Sequence, residues 1–102
     1  MRELTPQIKD ELRNIIFEFF AEECEVELSS LSDETNITDD LDGDSLLFVE
    51  LIEIIKKKYD LNIQLQTIGK YLLKNPAETI AQVVDTTYLI YQHENEIVNL
   101  GA

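Results

Sequence analysis

The residues of this chain that could support chemistry centre on a serine where an acidic loop turns into a helix. Ser45 follows Asp42-Gly43-Asp44, and in residues 46–55 only Glu50 and Glu53 are polar. A helix on the surface of a globular protein normally has one apolar stripe and a polar face opposite it. Because one core cannot cover all of this apolar surface, we interpret Ser45 as a modification site beside a surface on which other proteins dock.

Asp44 and Ser45 also have a purely structural interpretation, since both residue types are common helix N-caps. Three features favour modification, of which the first is that Gly43 leaves the loop accessible to an approaching enzyme. The second is that a phosphodiester on Ser45 would lie at a helix N-terminus, where unpaired N–H groups and the dipole favour an anion. The third is that apolar residues of the first turns offer a partner an apolar contact. These residues are Leu46, Leu47 and Val49.

The sequence does not supply the residues that hydrolytic catalysis needs. The single histidine, His93, lies at the edge of the C-terminal segment, and no Gly-x-Ser-x-Gly elbow surrounds Ser45. A pair of Cys24 and His93 would require the end of the first helix to meet that segment. We interpret Cys24 as a small apolar residue near a helix end and His93 as a solvated residue. We therefore expect no catalytic residues and no enzyme activity.

The carboxylates that precede the serine invite comparison with a calcium-binding loop. If Gly43 is the invariant turn glycine, Thr38 takes the first ligand position and Val49 the twelfth. The motif requires an acid at the first position and a bidentate glutamate at the twelfth, so both positions fail. One cysteine and one histidine do not make a zinc site. We expect no specific metal site, only loose binding of divalent ions.

The charge of the chain is lopsided. Of its 21 acids and 8 bases, residues 1–55 hold 16 acids and 3 bases, so the net charge of −13 arises entirely there. Such a field repels nucleic acids and anionic membranes and attracts basic protein surfaces. No apolar run approaches the roughly 20 residues that span a bilayer, and a single cysteine fits a reducing compartment. We expect a cytoplasmic monomer that binds neither nucleic acid nor membrane.

The elements that must position the serine are helices in one domain of 102 residues. Apolar residues at three- and four-residue spacing predict a first helix over Pro6–Glu23, capped by Thr5, and a second over Ser45–Tyr59. Between them, residues 25–43 show no strong period. This interval predicts a long loop that is held down by scattered apolar residues.

Two further helices complete the prediction. A short third helix covers Thr67–Lys74, and the Asn75-Pro76-Ala77-Glu78 start signature predicts a fourth helix that ends near Gln92. The fold class is therefore all-α, a small antiparallel four-helix bundle with three long helices, one short helix and a long first loop. We assign residues 1–92 to this domain and residues 93–102 to a flexible C-terminal tail.

The stretch Leu61–Leu65 alternates like a short strand. No partner strand is visible in the sequence, and an isolated strand is not stable. We interpret the stretch as a linker whose Ile63 and Leu65 side chains point inward.

Asp44-Ser45-Leu46, after Asp42-Gly43 and before Val49-Glu50-Leu51 and Tyr59-Asp60, resembles the acyl carrier protein family over about residues 5–92. The resemblance implies a non-catalytic four-helix bundle in which Ser45 receives 4′-phosphopantetheine from coenzyme A through a phosphopantetheinyl transferase. The thiol of this arm would carry acyl groups as thioesters. The implied partners are acyl-loading, elongating or acyl-transferring enzymes with basic surfaces.

The resemblance also implies a docking surface and a slot for the acyl chain. The docking positions are Asp42, Asp44, Leu46, Leu47, Val49, Glu50 and Glu53. Burial of each CH₂ group is worth about 0.8 kcal/mol, so an acyl chain gains by entering the bundle between the second and third helices. The residues expected around this slot are Ile55, Ile63, Ile68 and Leu72.

Three features depart from the family pattern: Leu47, Glu53 and Lys56-Lys57-Lys58, which reverses the sign of the charge at the end of the second helix. We therefore expect a specialised carrier for fatty-acid, lipid or polyketide-type synthesis, with dedicated partners. The alternatives are a non-catalytic acidic adaptor that binds a basic protein, an aminoacyl or peptidyl carrier of the same superfamily, and a divalent-ion sensor.

Overall fold

The computed structural model describes residues 3–41, 43 and 45–99, and for residues 45, 98 and 99 it describes the backbone alone. These residues form α-helices and short 3-10 helices, without a named strand among them, so the predicted all-α bundle is confirmed. Within this part of the chain, every helix is too short or too polar to cross a membrane. The α-helices are α1 (Pro6–Glu23), α2 (Ser45–Tyr59), α3 (Leu65–Lys74) and α4 (Ile80–His93), and the 3-10 helices are η1 (Leu28–Ser30) and η2 (Glu94–Asn99).

The predicted bounds of α1 and α2 are confirmed. The Thr5 hydroxyl accepts a hydrogen bond from the Ile8 N–H at 3.2 Å, and Pro6 occupies the first turn, where its missing N–H costs nothing. The buried faces follow the apolar spacing of the sequence. In α1 they are Leu12, Ile16, Phe19 and Phe20, and in α2 they are Phe48, Leu51, Ile52 and Ile55.

The C-terminal end of α2 is fixed to α1 and α4 by Tyr59. Its hydroxyl donates a hydrogen bond to Glu11 Oε1 at 2.8 Å, and its ring meets the ring of Tyr91 edge-on at 5.4 Å. Burial, the hydrogen bond to Glu11 and the charge of that carboxylate raise the pKa of the Tyr59 hydroxyl above its ordinary value. The hydroxyl therefore stays protonated at neutral pH and keeps its role as a donor.

The predicted start of the fourth helix at Asn75 is wrong. Asn75 instead caps the end of α3, where its N–H donates to the Tyr71 carbonyl at 2.9 Å. Helix α4 begins at Ile80, because Thr79 and Gln82 form a reciprocal capping box. The residues that precede this box pair with the first loop, a long-range interaction that the local Asn-Pro signature does not reveal.

Helix α3 begins at Leu65, two positions before the predicted start. The inward orientation expected for Ile63 is confirmed, whereas that of Leu65 is wrong, because 43% of Leu65 is exposed. Leu65 is the first helical residue, so the alternation of a strand no longer decides its direction. The helical period instead places Ile68 and Tyr71 in the core.

The segment after α4 does not extend as the predicted flexible tail. Residues 94–99 form η2, and Ile97 within it has no exposed surface. Helix η2 packs against both α3 and α4. The sequence contains no periodic signal for this element, because two adjacent apolar residues between polar ones fit a loose segment equally well. The last predicted tail residues, 100–102, lie outside the described residues.

Polar contacts also fix η2 to the start of α3. The Asn95 Oδ1 atom accepts hydrogen bonds from the Gln64 N–H at 3.0 Å and from the Thr67 hydroxyl at 3.1 Å. The Glu94 carboxylate accepts one from the Asn62 N–H. The C-terminal segment therefore holds the residues that lead into α3, and it also contacts the Thr67 side chain of the first turn.

Candidate functional site

The loop that leads into α2 is pinned by backbone hydrogen bonds to the segment before α4. The Ile37 N–H donates to the Glu78 carbonyl at 2.8 Å, and the Ile80 N–H donates to the Thr35 carbonyl at 3.0 Å. Asn36 and Thr79 form an antiparallel bridge at the same place. These bonds bury Ile37, so the loop reaches α2 as a packed segment rather than a free one.

One amide and one carboxylate of this loop, those of Asn36 and Asp40, cap its own turn. The Asn36 Oδ1 atom accepts from the Thr38 N–H at 3.0 Å and from the Asp39 N–H at 2.9 Å. The Asp40 carboxylate accepts from the Asn36 N–H at 2.8 Å. Among the residues that the structure describes, no group of three or more potential ligands could hold a metal ion. The polar side chains here stabilise the turn.

Gly43 permits a close approach just before α2. Its N–H donates to the Ile37 carbonyl at 2.8 Å. A Cβ atom at this position would lie 2.8 Å from Ile37 Cγ2 and 2.8 Å from Leu47 Cδ1. Its φ is not positive, so packing rather than a left-handed backbone requires the glycine. The sequence indicated accessibility at Gly43, and the structure adds this packing role, which a contact across the loop defines.

The predicted modification site marks the beginning of α2. Ser45 is the first residue of the helix. Its side chain lies outside the described part of the structure, as do Asp42 and Asp44. The backbone nevertheless places residue 45 where an acidic loop meets the positive end of a helix dipole.

The other predicted docking residues divide into two groups. Leu46, of which 61% is exposed, and Glu50 lie on the outer face of α2. Leu47, Val49 and Glu53 are half-buried. Leu46 and Glu50 therefore face outward. The half-buried residues lie at the margin of this exposed part of the predicted docking surface.

Sequence reasoning missed Ile54, of which 47% is exposed. It follows Leu46 and Glu50 at steps of four residues, so the same helical spacing that identified the buried stripe could have identified it. We name Leu46, Glu50 and Ile54 the α2 face. This face combines apolar and acidic groups along α2, from its first turn to Ile54.

A shallow groove of about 310 Å³ lies beside the first turn of α2. Cys24 forms part of its wall, and burial together with the charge of Glu23 raises the pKa of the thiol. The thiol is therefore protonated at neutral pH and is a poor nucleophile. The lining residues are Glu23, Cys24, Leu41, Gly43, Leu46, Leu47 and Glu50.

A second, more apolar cavity of about 220 Å³ lies between the loop, α2 and the end of α3. Leu72 is the member of the predicted slot that lines it. Ile55, Ile63 and Ile68 instead lie in the packed core, with almost no exposed surface. The sequence could not place Pro76 and Ala77 here, because it assigned them to the fourth helix. The lining residues are Phe20, Ile37, Thr38, Phe48, Leu72, Pro76 and Ala77.

Comparison with known proteins identifies the family. Residues 14–85 match the family model described as a phosphopantetheine attachment site. The chain belongs to the acyl carrier protein family. It is 64% identical over 101 residues to the acyl carrier protein homolog of Clostridium acetobutylicum, across 99% of this chain and 98% of that protein. It is 35% identical over 60 residues to an acyl carrier protein of Picosynechococcus, across 59% of this chain and 69% of that one. No solved structure gives a significant match.

Membership of the acyl carrier protein family assigns both a role and a cofactor. Acyl carrier proteins are carriers rather than enzymes, and the matched domain is the site of covalently attached 4′-phosphopantetheine. The role implies that the chain meets a transferase and enzymes of synthesis as partners. The groove and the cavity described above are therefore features of a carrier.

Alanine substitution of Gly43 tests the packing before α2, and alanine substitution of Gly69 is its matched control. In Gly43→Ala the new methyl group must displace Ile37 or Leu47, so we expect a loss of about 1–3 kcal/mol in the free energy of unfolding. In Gly69→Ala the methyl group enters open space within α3, so we expect a gain of up to about 1 kcal/mol. Urea denaturation measures both. Equal changes in the two variants would show that Gly43 is not packed as described.

Proposed function

We propose that the Ser45 hydroxyl carries the 4′-phosphopantetheine arm, and that this chain is a specialised carrier in fatty-acid, lipid or polyketide-type synthesis. The observation that carries the proposal is that Ser45 begins α2 within the matched phosphopantetheine domain. The attached group supplies a thiol that forms thioesters with acyl chains. The role of this chain is to hold that group, to present it and to bind the enzymes that use it.

The residues around the helix start fit such a group. The first turn of an α-helix leaves backbone N–H groups without intrahelical partners, and these favour an anion such as a phosphodiester. The packed loop, with Gly43 fixed to the Ile37 carbonyl, sets where that turn begins. The arm would therefore leave the bundle from a fixed point, beside the open groove at Leu46 and Leu47.

The α2 face would bind the partner enzymes, with Asp42, Asp44, Leu47, Val49 and Glu53 completing the surface. Its carboxylates attract basic surfaces and speed their encounter, while Leu46 and Ile54 add a small apolar contact. Lys56, Lys57 and Lys58 occupy the last turn of the same helix. A partner that needs an acidic surface along all of α2 would meet these lysines, so we expect partners that contact α2 before its last turn.

The cavity beside Phe48 and Leu72 would shelter the first part of an acyl chain. Each CH₂ group that leaves water contributes about 0.8 kcal/mol. Ile55, Ile63 and Ile68 lie deeper, so a longer chain would reach them only if the core residues moved apart. The lining is mostly apolar, with Thr38 as its polar side chain, and so favours acyl cargo over an aminoacyl or peptidyl group, which has more polar atoms to satisfy.

The attachment is tested by incubating the full chain with coenzyme A and a promiscuous phosphopantetheinyl transferase. We expect intact mass spectrometry to show one phosphopantetheine adduct on the wild-type chain and none on Ser45→Ala. Ser29→Ala, which removes the same hydroxyl from an exposed position of η1, is expected to accept one adduct. Failure of the wild-type chain to accept the group would leave an acidic adaptor as the better description.

The docking surface is tested by a reversal of charge. Glu50→Lys places a cation on the α2 face, so we expect the kcat/KM of the transferase for the chain to fall about tenfold at low salt. Glu22→Lys makes the same change at an exposed position of α1 and is expected to retain the wild-type value. Equal losses in the two variants would mean that only net charge matters.

The shelter for cargo is tested by nuclear magnetic resonance of the holo and acylated forms. We expect acylation to shift resonances of Phe48, Leu72 and Ala77, because the chain enters their cavity. Ala77→Leu narrows the cavity and is expected to reduce these shifts. Shifts confined to residues near Ser45 would show that the acyl chain stays outside the bundle.

A further inference from the structure

We propose that the outer side of α3 is a second docking surface, for a protein partner that presents an acidic amphipathic helix. Leu65, Gly69 and Leu73 form this surface, and Lys70 and Lys74 lie at its edge. We name these residues the α3 face. The proposal goes beyond the carrier function, because it concerns a partner other than the basic enzymes expected at the α2 face.

The apolar part of the α3 face is unusually exposed. Leu73 retains 87% of its accessible surface and Leu65 retains 43%. The two residues flank Gly69 at steps of four, so all three lie on one side of the helix. Ile68 and Tyr71 occupy the opposite side and are buried. The exposed leucines are therefore not needed for the core of this chain.

Gly69 lies between these leucines, although nothing in the described part of the chain requires a glycine there. Glycine destabilises a helix interior relative to alanine. Its φ is not positive, so the backbone does not require glycine. A Cβ atom at this position would meet nothing within 4 Å, so internal packing does not require it either. A group that approaches the helix closely from outside would require it.

The charge of this region determines which partner it attracts. Residues 56–74 contain five lysines and one acid, Asp60, whereas the rest of the chain contains 20 acids and 3 bases. The region is therefore a basic island in a chain of net charge −13. Lys70 and Lys74 are exposed beside the apolar residues. A partner helix with carboxylates at the margin of an apolar ridge would complement these lysines and leucines.

Other occupants fit less well. Two copies of the α3 face would bring the lysines of both copies together. A pair of ten-residue helices, each about 15 Å long, also buries far less than the roughly 1,200 Å² of a stable interface. An anionic bilayer would repel the acidic remainder of the chain. A single helix with acidic margins brings no lysines of its own, can be longer than α3, and is narrow enough to contact the basic region without covering the acidic remainder of the chain.

The α2 face is acidic and the α3 face is basic, so the two surfaces attract partners of opposite charge. A basic enzyme binds the α2 face, whereas an acidic helix binds the α3 face, so neither partner attracts the other's site. A partner held at the α3 face would keep the carrier at a high effective concentration near a second enzyme while the arm serves that enzyme.

The test uses synthetic peptides and the full isotope-labelled chain. The probe is an 18-residue helical peptide with a leucine ridge flanked by glutamates, and the matched peptide carries lysines in place of the glutamates. We expect the acidic peptide to shift the amide resonances of residues 65–74 and to bind more weakly as salt increases. The basic peptide is expected to leave those resonances unchanged.

Substitutions of Gly69 distinguish a loss of close contact with the peptide from a loss of folding. Gly69→Leu fills the space between the flanking leucines, and we expect it to weaken binding of the acidic peptide at least tenfold. Glu22→Leu adds the same side chain to an exposed position of α1 and is expected to bind as the wild type does. Gly69→Ala is expected to raise Tm by a few degrees, which shows that residue 69 tolerates a side chain without unfolding.

Several results would overturn the proposal. These are equal shifts of residues 65–74 with the two peptides, shifts with the acidic peptide that avoid residues 65–74, and wild-type affinity of Gly69→Leu for the acidic peptide. Concentration-dependent shifts of the α3 face in the chain alone, with a dimer in sedimentation, would assign the face to a second copy. Binding to vesicles of phosphatidylglycerol that requires Lys70 and Lys74 would assign it to a membrane.

Discussion

The rest of the structure depends on how the long first loop is held against the chain that precedes α4. A connection of this length loses much conformational entropy when it orders, so it requires compensating contacts. The backbone hydrogen bonds of Ile37 with Glu78 and of Ile80 with Thr35 supply them, together with burial of the Ile37 side chain. Gly43 then packs against Ile37, and α2 begins two residues later at Ser45. The start of α2 is therefore determined by contacts distant in sequence, and it is there that we propose the arm is attached.

The second general feature is that α2 has more apolar surface than one core can use. Phe48, Leu51, Ile52 and Ile55 are buried. Leu46 and Ile54 are exposed on the same face of the helix as Glu50. A carrier must meet several enzymes briefly, and a small apolar patch among carboxylates suits fast and weak binding. The lysines of the last turn of α2 end this patch after Ile54.

The sequence predicted those parts of the fold that local signals determine. The bounds of α1 and α2 follow from caps and apolar spacing. The start of α4 does not, because Asn75 offers a cap that competes with the capping box at Thr79, and pairing with the loop decides between them. In the site, the exposure of Leu46 follows from helical spacing. The packing of Gly43 and the burial of Ile97 depend on tertiary contacts, which no local pattern encodes.

The most direct test of the carrier account is residue-level mapping of the arm in the holo protein. The protein is digested, and the peptide that bears phosphopantetheine is sequenced by tandem mass spectrometry. We expect the group on Ser45, with Ser29, Ser30 and Ser32 unmodified. A group located on one of those other serines would contradict the assignment of the start of α2 as the attachment point.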